Sequence, residues 1–569
     1  MPVPAAGSPK LMKIFLLFSS GCDIFFLKQS AGDCFRQGAT GYAPDIRQIR
    51  PSGKLQAESL KPTDKEGVTI RTSGILLPMS SLPSPYGIGN LGREAFRFLD
   101  FLREAGQSYW QILPIGPTGY GDSPYQSFSA FAANPYLIDP DQLVGQGLLK
   151  EEELREFDFG DNPEQVDYGA LFRGRFRMLH IAVKRFVPNG GTFQAFCEKN
   201  AGWLDDYALF MALKAENGMV SFQRWPDDLR LRREPALKAA KVRLADEIRF
   251  WEVTQFLFRF QWNTLKDYAH QNGIRIVGDL PIYVSPDSAD LWAHGELFQL
   301  DKDRRPTEVA GCPPDLFAAE GQLWGNPLYD WKKHEADGFR WWLERLSGAA
   351  EFYDAVRVDH FRGFAGYYAV PAGSKNAVNG RWRKGPGIAL INTLKKELPQ
   401  LSILAEDLGF LTDDVRELLA ESGFPGMKVL QFAFDPAEES DYLPHNHRRN
   451  CVVYTGTHDN PTTEDWGRAA PPEEVSFARR YLGVGSEGDL TGALIRAAQA
   501  SVADTCIIPL QDYIRLGAQA RINTPGTVGQ NWCWRLNPAL LTSELAHRIR
   551  EITQLYNRLP AVALAPAPA

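Results

Sequence analysis

Eight short apolar runs, several with helical stretches between them, constrain the fold of this 569-residue chain more than any other feature. The runs are Arg71–Pro78, Tyr109–Pro114, Ile274–Leu280, Ala355–Asp359, Leu401–Glu406, Lys428–Phe432, Cys451–Thr455 and Thr505–Pro509. Strands that are apolar throughout, rather than alternating, belong to parallel sheets buried on both faces. Helices supply the cover: Gly92 to Ala105 carries Ala95, Phe98, Leu99 and Leu102 at helical spacing before Gly106 stops it, and Asp413 to Ser422 is a second example. The pattern predicts an α/β protein, and eight strands are the number of a (β/α)8 TIM barrel. From about 140 to 270 the rhythm changes to helical segments, including Asp205 to Glu216 and about Asp246 to His270, which Asn272-Gly273 terminates. This predicts inserted, mostly helical subdomains on the barrel.

Three of the runs lead into a carboxylate: Val356-Arg357-Val358-Asp359, Ile403-Leu404-Ala405-Glu406 and Val453-Tyr454-Thr455-Gly456-Thr457-His458-Asp459. The ends of barrel strands open onto the catalytic face. Cleaving a glycosidic bond with retention needs one carboxylate to attack the anomeric carbon and a carboxylic acid about 5–5.5 Å away to protonate the leaving oxygen. Arg357 precedes Asp359 by two residues, so both side chains share a face and the cation favours an ionised, nucleophilic Asp359. Glu406 follows a buried strand and feels two other carboxylates, which fits the general acid/base. Asp459 suits the transition-state stabiliser, gripping two sugar hydroxyls, with His458 beside it as another hydroxyl partner in preference to a metal ligand. Any one of these carboxylates alone is better explained as a loop carboxylate, a helix cap or an ion-pair partner; three together are not.

Composition narrows the partners. A net charge of −7 without a basic, aromatic-interleaved cluster gives no footprint for nucleic acid. Seven scattered cysteines show no metal-binding spacing and read as reduced thiols, which favours a cytoplasmic location. The apolar runs Ile14 to Phe18 and Ile24 to Leu27 are too short to span a bilayer, so no membrane association is expected. Residues 1–66 read as a flexible leader, with a targeting signal or plastid import open, and 67–569 as the catalytic barrel.

Longer segments carry a resemblance: Gly119-Tyr120-Gly121-Asp122-Ser123-Pro124-Tyr125-Gln126-Ser127, Gly278-Asp279-Leu280-Pro281-Ile282-Tyr283-Val284, Arg357-Val358-Asp359-His360-Phe361-Arg362-Gly363, Ala405-Glu406-Asp407-Leu408-Gly409 and Tyr454 to Asn460. Over roughly residues 70 to 556 the chain resembles the 4-α-glucanotransferases known as amylomaltase or disproportionating enzyme, relatives of the α-amylases. The resemblance implies the barrel, the same three catalytic carboxylates, and Asp279, Arg357 and His458 among the substrate-binding residues. It implies Tyr125 as a platform under the sugar, and Tyr120 as part of a second glucan groove. A further segment, Pro313-Pro314-Asp315-Leu316-Phe317 through Gly321-Gln322-Leu323-Trp324-Gly325-Asn326-Pro327, resembles the family's acceptor-site loop at about 311–329. There Phe317 and Trp324 offer stacking faces, Asp315 can take hydroxyls, and closure would exclude water.

The implied activity is transfer of an α-1,4-glucan segment to the 4-hydroxyl of glucose or another glucan, through a covalent glycosyl-enzyme. A retaining α-glucan hydrolase using the same site stays open, since only competition between water and sugar separates the two. One α-1,4 bond replaces another, so no cofactor is expected, and no glycine-rich phosphate loop is present.

Overall fold

A computed structural model describes residues 71–119, 121–314, 319–409 and 411–560; the leader at 1–66 lies outside these. Eight parallel strands follow one another around a single sheet in chain order: β1 (Thr72–Leu76), β2 (Tyr109–Gln111), β3 (Arg275–Leu280), β4 (Ala355–Val358), β5 (Ser402–Ala405), β6 (Gly426–Val429), β7 (Cys451–Tyr454) and β8 (Thr505–Pro509). β8 pairs back onto β1, with Thr72 opposite Thr505. Every residue of β1, β4, β7 and β8 is buried, as expected of strands covered on both faces. The sheet is a nearly closed barrel, and its seam lies between β5 and β6.

The seam corrects one strand. The run predicted at Lys428–Phe432 is a strand earlier in the chain, Gly426–Val429, and Leu430–Phe432 form a 3-10 turn. Pro425-Gly426 reads as a turn in sequence, but here it crosses the seam: the Ala405 N–H donates to the Pro425 carbonyl at 2.9 Å. The Met427 N–H donates to the buried Asp407 carboxylate at 2.6 Å. A Cβ on residue 426 would sit 2.7 Å from Asp407 Oδ2, so glycine is what lets the strand run under that carboxylate. Asp407, adjacent to Glu406, is the pin of the barrel closure.

Helices cover the outside. α1 (Arg93–Glu104) buries Ala95, Phe98, Leu99, Phe101 and Leu102. Between β2 and β3 come three long helices, α2 (Tyr168–Arg185), α3 (Thr192–Glu216) and α4 (Ala245–Gln271). α3 begins well before the predicted Asp205, because Phe193 packs edge-on against Phe186 and Phe256 and secures a first half with no clean apolar stripe. α4 ends at Gly273, whose φ of +72° reverses the chain into β3. α5 (Arg340–Phe352) precedes β4, and α6 (Asp413–Ser422) links β5 to β6 with the predicted bounds.

A second, antiparallel sheet has no forecast in the sequence. Its strands lie in the order Gln322–Pro327, Glu308–Cys312, Gly366–Pro371 and Arg381–Lys384, two inserted before β4 and two after it. The Glu308 carboxylate bridges Arg381 at 3.0 Å and Arg383 at 2.6 Å. Among the described residues no helix is long and apolar enough to cross a membrane.

Asp407→Ala should leave the Met427 amide buried without its acceptor and lower stability by about 1–3 kcal/mol, read as a drop in the denaturation midpoint. An unchanged midpoint would show that the seam does not depend on this carboxylate.

Candidate active site

The parallel register brings the first charged pair together. Asp279 in β3 stands directly opposite Arg357 in β4, and both side chains are buried in the barrel. Gly278, the residue before Asp279, accommodates the Tyr353 ring: a Cβ there would lie 2.2 Å from it. Arg357 Nη1 donates to both Asp279 carboxylate oxygens, at 2.8 and 2.7 Å, and lies 3.0 Å from Asp359 Oδ1. Burial opposes the guanidinium charge, yet Asp279 and Asp359 outweigh it and hold Arg357 well above its ordinary value.

Asp359 and Glu406 leave adjacent strands, since Val358 at the end of β4 pairs with Ala405 at the end of β5. Two backbone amides grip the Glu406 carboxylate: the His360 N–H at Oε2 and the Leu408 N–H at Oε1, each at 2.7 Å. Burial pushes Glu406 up to about 7, with Asp359 adding to it while Arg357 and the two amides pull back. The sequence argument gave burial and neighbouring charge together as the cause of that rise, and desolvation is the larger of the two. Asp359 is raised to about 6, again first by burial, which together with Asp279 and Asp459 outweighs the pull of Arg357. Arg357 therefore does less for Asp359 than its spacing suggests, because it is shared with Asp279.

Asp459 lies in the loop after β7. Its Oδ1 accepts from Asn523 Nδ2 at 2.6 Å, its Oδ2 lies 3.3 Å from His458 Nε2, and its carbonyl accepts from Arg521 Nη2 at 2.9 Å. The buried His458 ring stacks on Tyr125 at 5.2 Å and 13° between planes. Tyr125 in turn donates its hydroxyl to Asp279 Oδ2 at 2.8 Å. Trp532 lies tilted beside both rings, 5.7 Å from Tyr125 and 6.0 Å from His458. One connected network thus joins Asp279, Arg357, Asp359, Tyr125, His458 and Asp459.

Sequence reasoning missed Arg521, Asn523 and Trp532, which follow β8. Their segment, Arg521-Ile522-Asn523-Thr524-Pro525-Gly526, reads as an ordinary polar turn, and its sole hint is a cation and an amide just ahead of the Pro-Gly.

His360 adopts φ +54° and wedges its ring against Trp324, perpendicular at 4.8 Å. Burial, and then Arg362, push its imidazole down to about 3, so it stays neutral. Trp324 donates its indole N–H to Gln322 Oε1 at 3.1 Å and leans toward Tyr283 at 6.4 Å. Tyr120, Asp315 and Phe317 lie outside the described residues. Among the described residues no group of three or more His, Cys, Asp or Glu is arranged to hold a metal ion.

Comparison with known proteins agrees in kind. The family described as 4-alpha-glucanotransferase matches residues 77–542. The chain is similar to the 4-alpha-glucanotransferase of Thermus thermophilus, 49% identical over 501 residues that cover 86% of this chain and 99% of the relative. It is also similar to that of Clostridium butyricum, 46% identical over 483 residues covering 84% of this chain and 99% of the relative. Among solved structures it is similar to the amylomaltase from Streptococcus agalactiae in complex with acarbose, with a TM-score of 0.84 and 41% identity over 86% of this chain and 100% of that one.

Asp279→Ala should leave the buried Arg357 guanidinium with Asp359 as its remaining paired carboxylate and detach the Tyr125 hydroxyl, costing about 1–3 kcal/mol of stability in equilibrium denaturation. A loss below about 1 kcal/mol would mean that Arg357 does not depend on this partner.

Proposed function

The chain belongs to the 4-alpha-glucanotransferase family, and we propose that Asp359, Glu406 and Asp459 carry out its glucan transfer as a retaining double displacement. The enzyme is a hexosyltransferase acting on glucans. The observation that carries the role assignment is geometric: Asp359 lies 3.0 Å from the Arg357 guanidinium, while Glu406, at the neighbouring strand end, is held by two backbone amides. Burial raises both carboxyls, and the direct Arg357 contact favours the ionised form at Asp359, which leaves the proton to Glu406, the division that a nucleophile and an acid require.

Asp359 attacks the anomeric carbon while Glu406 gives its proton to the departing glycosidic oxygen, forming the glycosyl-enzyme and freeing the reducing-end fragment. Glu406, now ionised, takes the proton of an incoming sugar 4-hydroxyl, which displaces Asp359 and restores both groups. Arg357 stabilises the carboxylate when it leaves. Asn523 and His458 steer the Asp459 oxygens, and that carboxylate holds sugar hydroxyls more tightly as the ring flattens toward the oxocarbenium-like state. Tyr125, anchored by Asp279 and stacked on His458, forms the wall beneath the sugar.

The donors on this reading are α-1,4-glucans and maltooligosaccharides, and the acceptors glucose or another maltooligosaccharide. Trp324, braced by His360, supplies a stacking face for the acceptor.

Incubation with maltotriose should yield glucose and a ladder of longer maltooligosaccharides; shorter products alone, with no elongation, would mean hydrolysis. The pH profile has two limbs with opposite signs. kcat/KM should climb as pH rises through about 6, where Asp359 ionises, and fall as it passes about 7, where Glu406 loses its proton. A rate that keeps rising above about pH 8 would remove Glu406 from the acid role.

A further inference from the structure

A groove runs between the edge of the four-stranded sheet and α6. Trp382, on the edge strand Arg381–Lys384, is 47% exposed, a large amount for an indole. The Arg362 guanidinium lies over its ring at 4.1 Å and Tyr368 meets it edge-on at 5.3 Å, so the indole is held in place rather than loose. Arg362, Arg383 and Lys384, from the turn and the edge strand, line the groove together with Asp414, Glu417 and Glu421 of α6. Those three carboxylates recur at helical spacing along α6 and form one stripe. Lys384, Asp414, Glu417 and Glu421 make no ion pair among the described residues. Gly366 and Gly387 contribute to the lining without side-chain bulk, and a Cβ at Gly387 would meet open space.

The balance of charge decides the ligand. A phosphate or an acidic peptide would meet the carboxylate stripe, and a cation would meet Arg362 and Lys384. A neutral polyol can use both the donors and the acceptors while its apolar ring face lies on an indole. The groove also shares an element with the active site. Arg362 sits in the turn Phe361–Phe364 that follows His360, whose amide holds Glu406 and whose ring braces Trp324. The sheet that presents Trp382 also carries Trp324 on its opposite edge strand.

We propose that this groove is a remote subsite for a linear α-1,4-glucan, with Trp382 as its stacking platform, engaging chains too long to be held by the active site alone. This rests on the glucanotransferase reading and adds to it a means of favouring long chains.

The test uses the full chain with Trp382→Ala and Trp382→Tyr. The alanine variant should raise KM for long linear amylose roughly fivefold or more with kcat unchanged, leave maltotriose transfer as it was, and migrate faster than the parent protein in amylose-containing affinity gels. The tyrosine variant, which keeps a ring, should recover most of the amylose affinity. Unaltered amylose KM and gel migration in Trp382→Ala would overturn the proposal. So would an equal loss on maltotriose and amylose, which marks a structural role. Failure of the parent protein to elongate maltotriose would instead count against the transferase reading, and gel retention reads the groove without any turnover.

Discussion

Arg357 carries one positive charge into the mouth of the barrel and divides it between two carboxylates, Asp279 at 2.7 Å and Asp359 at 3.0 Å. A buried cation is costly unless it is paired and its hydrogens are used. Here the pairing follows from register, because β3 and β4 place residues 279 and 357 directly opposite each other. Much of the site hangs from that contact. Asp279 also receives the Tyr125 hydroxyl, Tyr125 stacks on His458, and His458 lies beside Asp459. Residues from the loops after β2 and β7 are thereby tied to the strands that hold the other two carboxylates.

Burial and neighbouring charge then separate the carboxyls. All sit at the mouth of one barrel, but Glu406 is held by two amides and dehydrated, while Asp359 faces the shared arginine. The raised values of Glu406 and Asp359 arise chiefly from loss of water, and the charges around them adjust the order. Such an arrangement costs stability wherever the ionised forms prevail, because each carboxyl would ionise more readily in the unfolded chain. The seam pin Asp407 sits immediately after Glu406, so the closure of the barrel and the placing of the acid share a backbone segment.

Much of the barrel was legible in the sequence. Strands buried on both faces are largely apolar, so β1 to β5, β7 and β8 stand out as runs, and the charged residues in and just after them stand out against them. β6 was read too late in the chain because Pro425-Gly426 has turn chemistry, and only the Asp407 carboxylate above it explains why glycine belongs in the strand. The antiparallel sheet was illegible for a related reason. Its strands come from two separate insertions, and its edge strand Arg381–Lys384 is short, charged and largely exposed, with no period to detect.

Residue types and spacing by themselves determined the barrel class, the order of the three carboxylates, and the placing of Arg357 on the same face as Asp359, since a strand's alternation fixes which side chains share a face. Tertiary structure alone decided who shares that arginine, which amides hold Glu406, and that Asn523 and Trp532 reach Asp459 and Tyr125 from beyond the last strand. Spacing governs what happens within one strand. Partners separated by tens of residues are set by register and by burial, and neither is written in the local sequence.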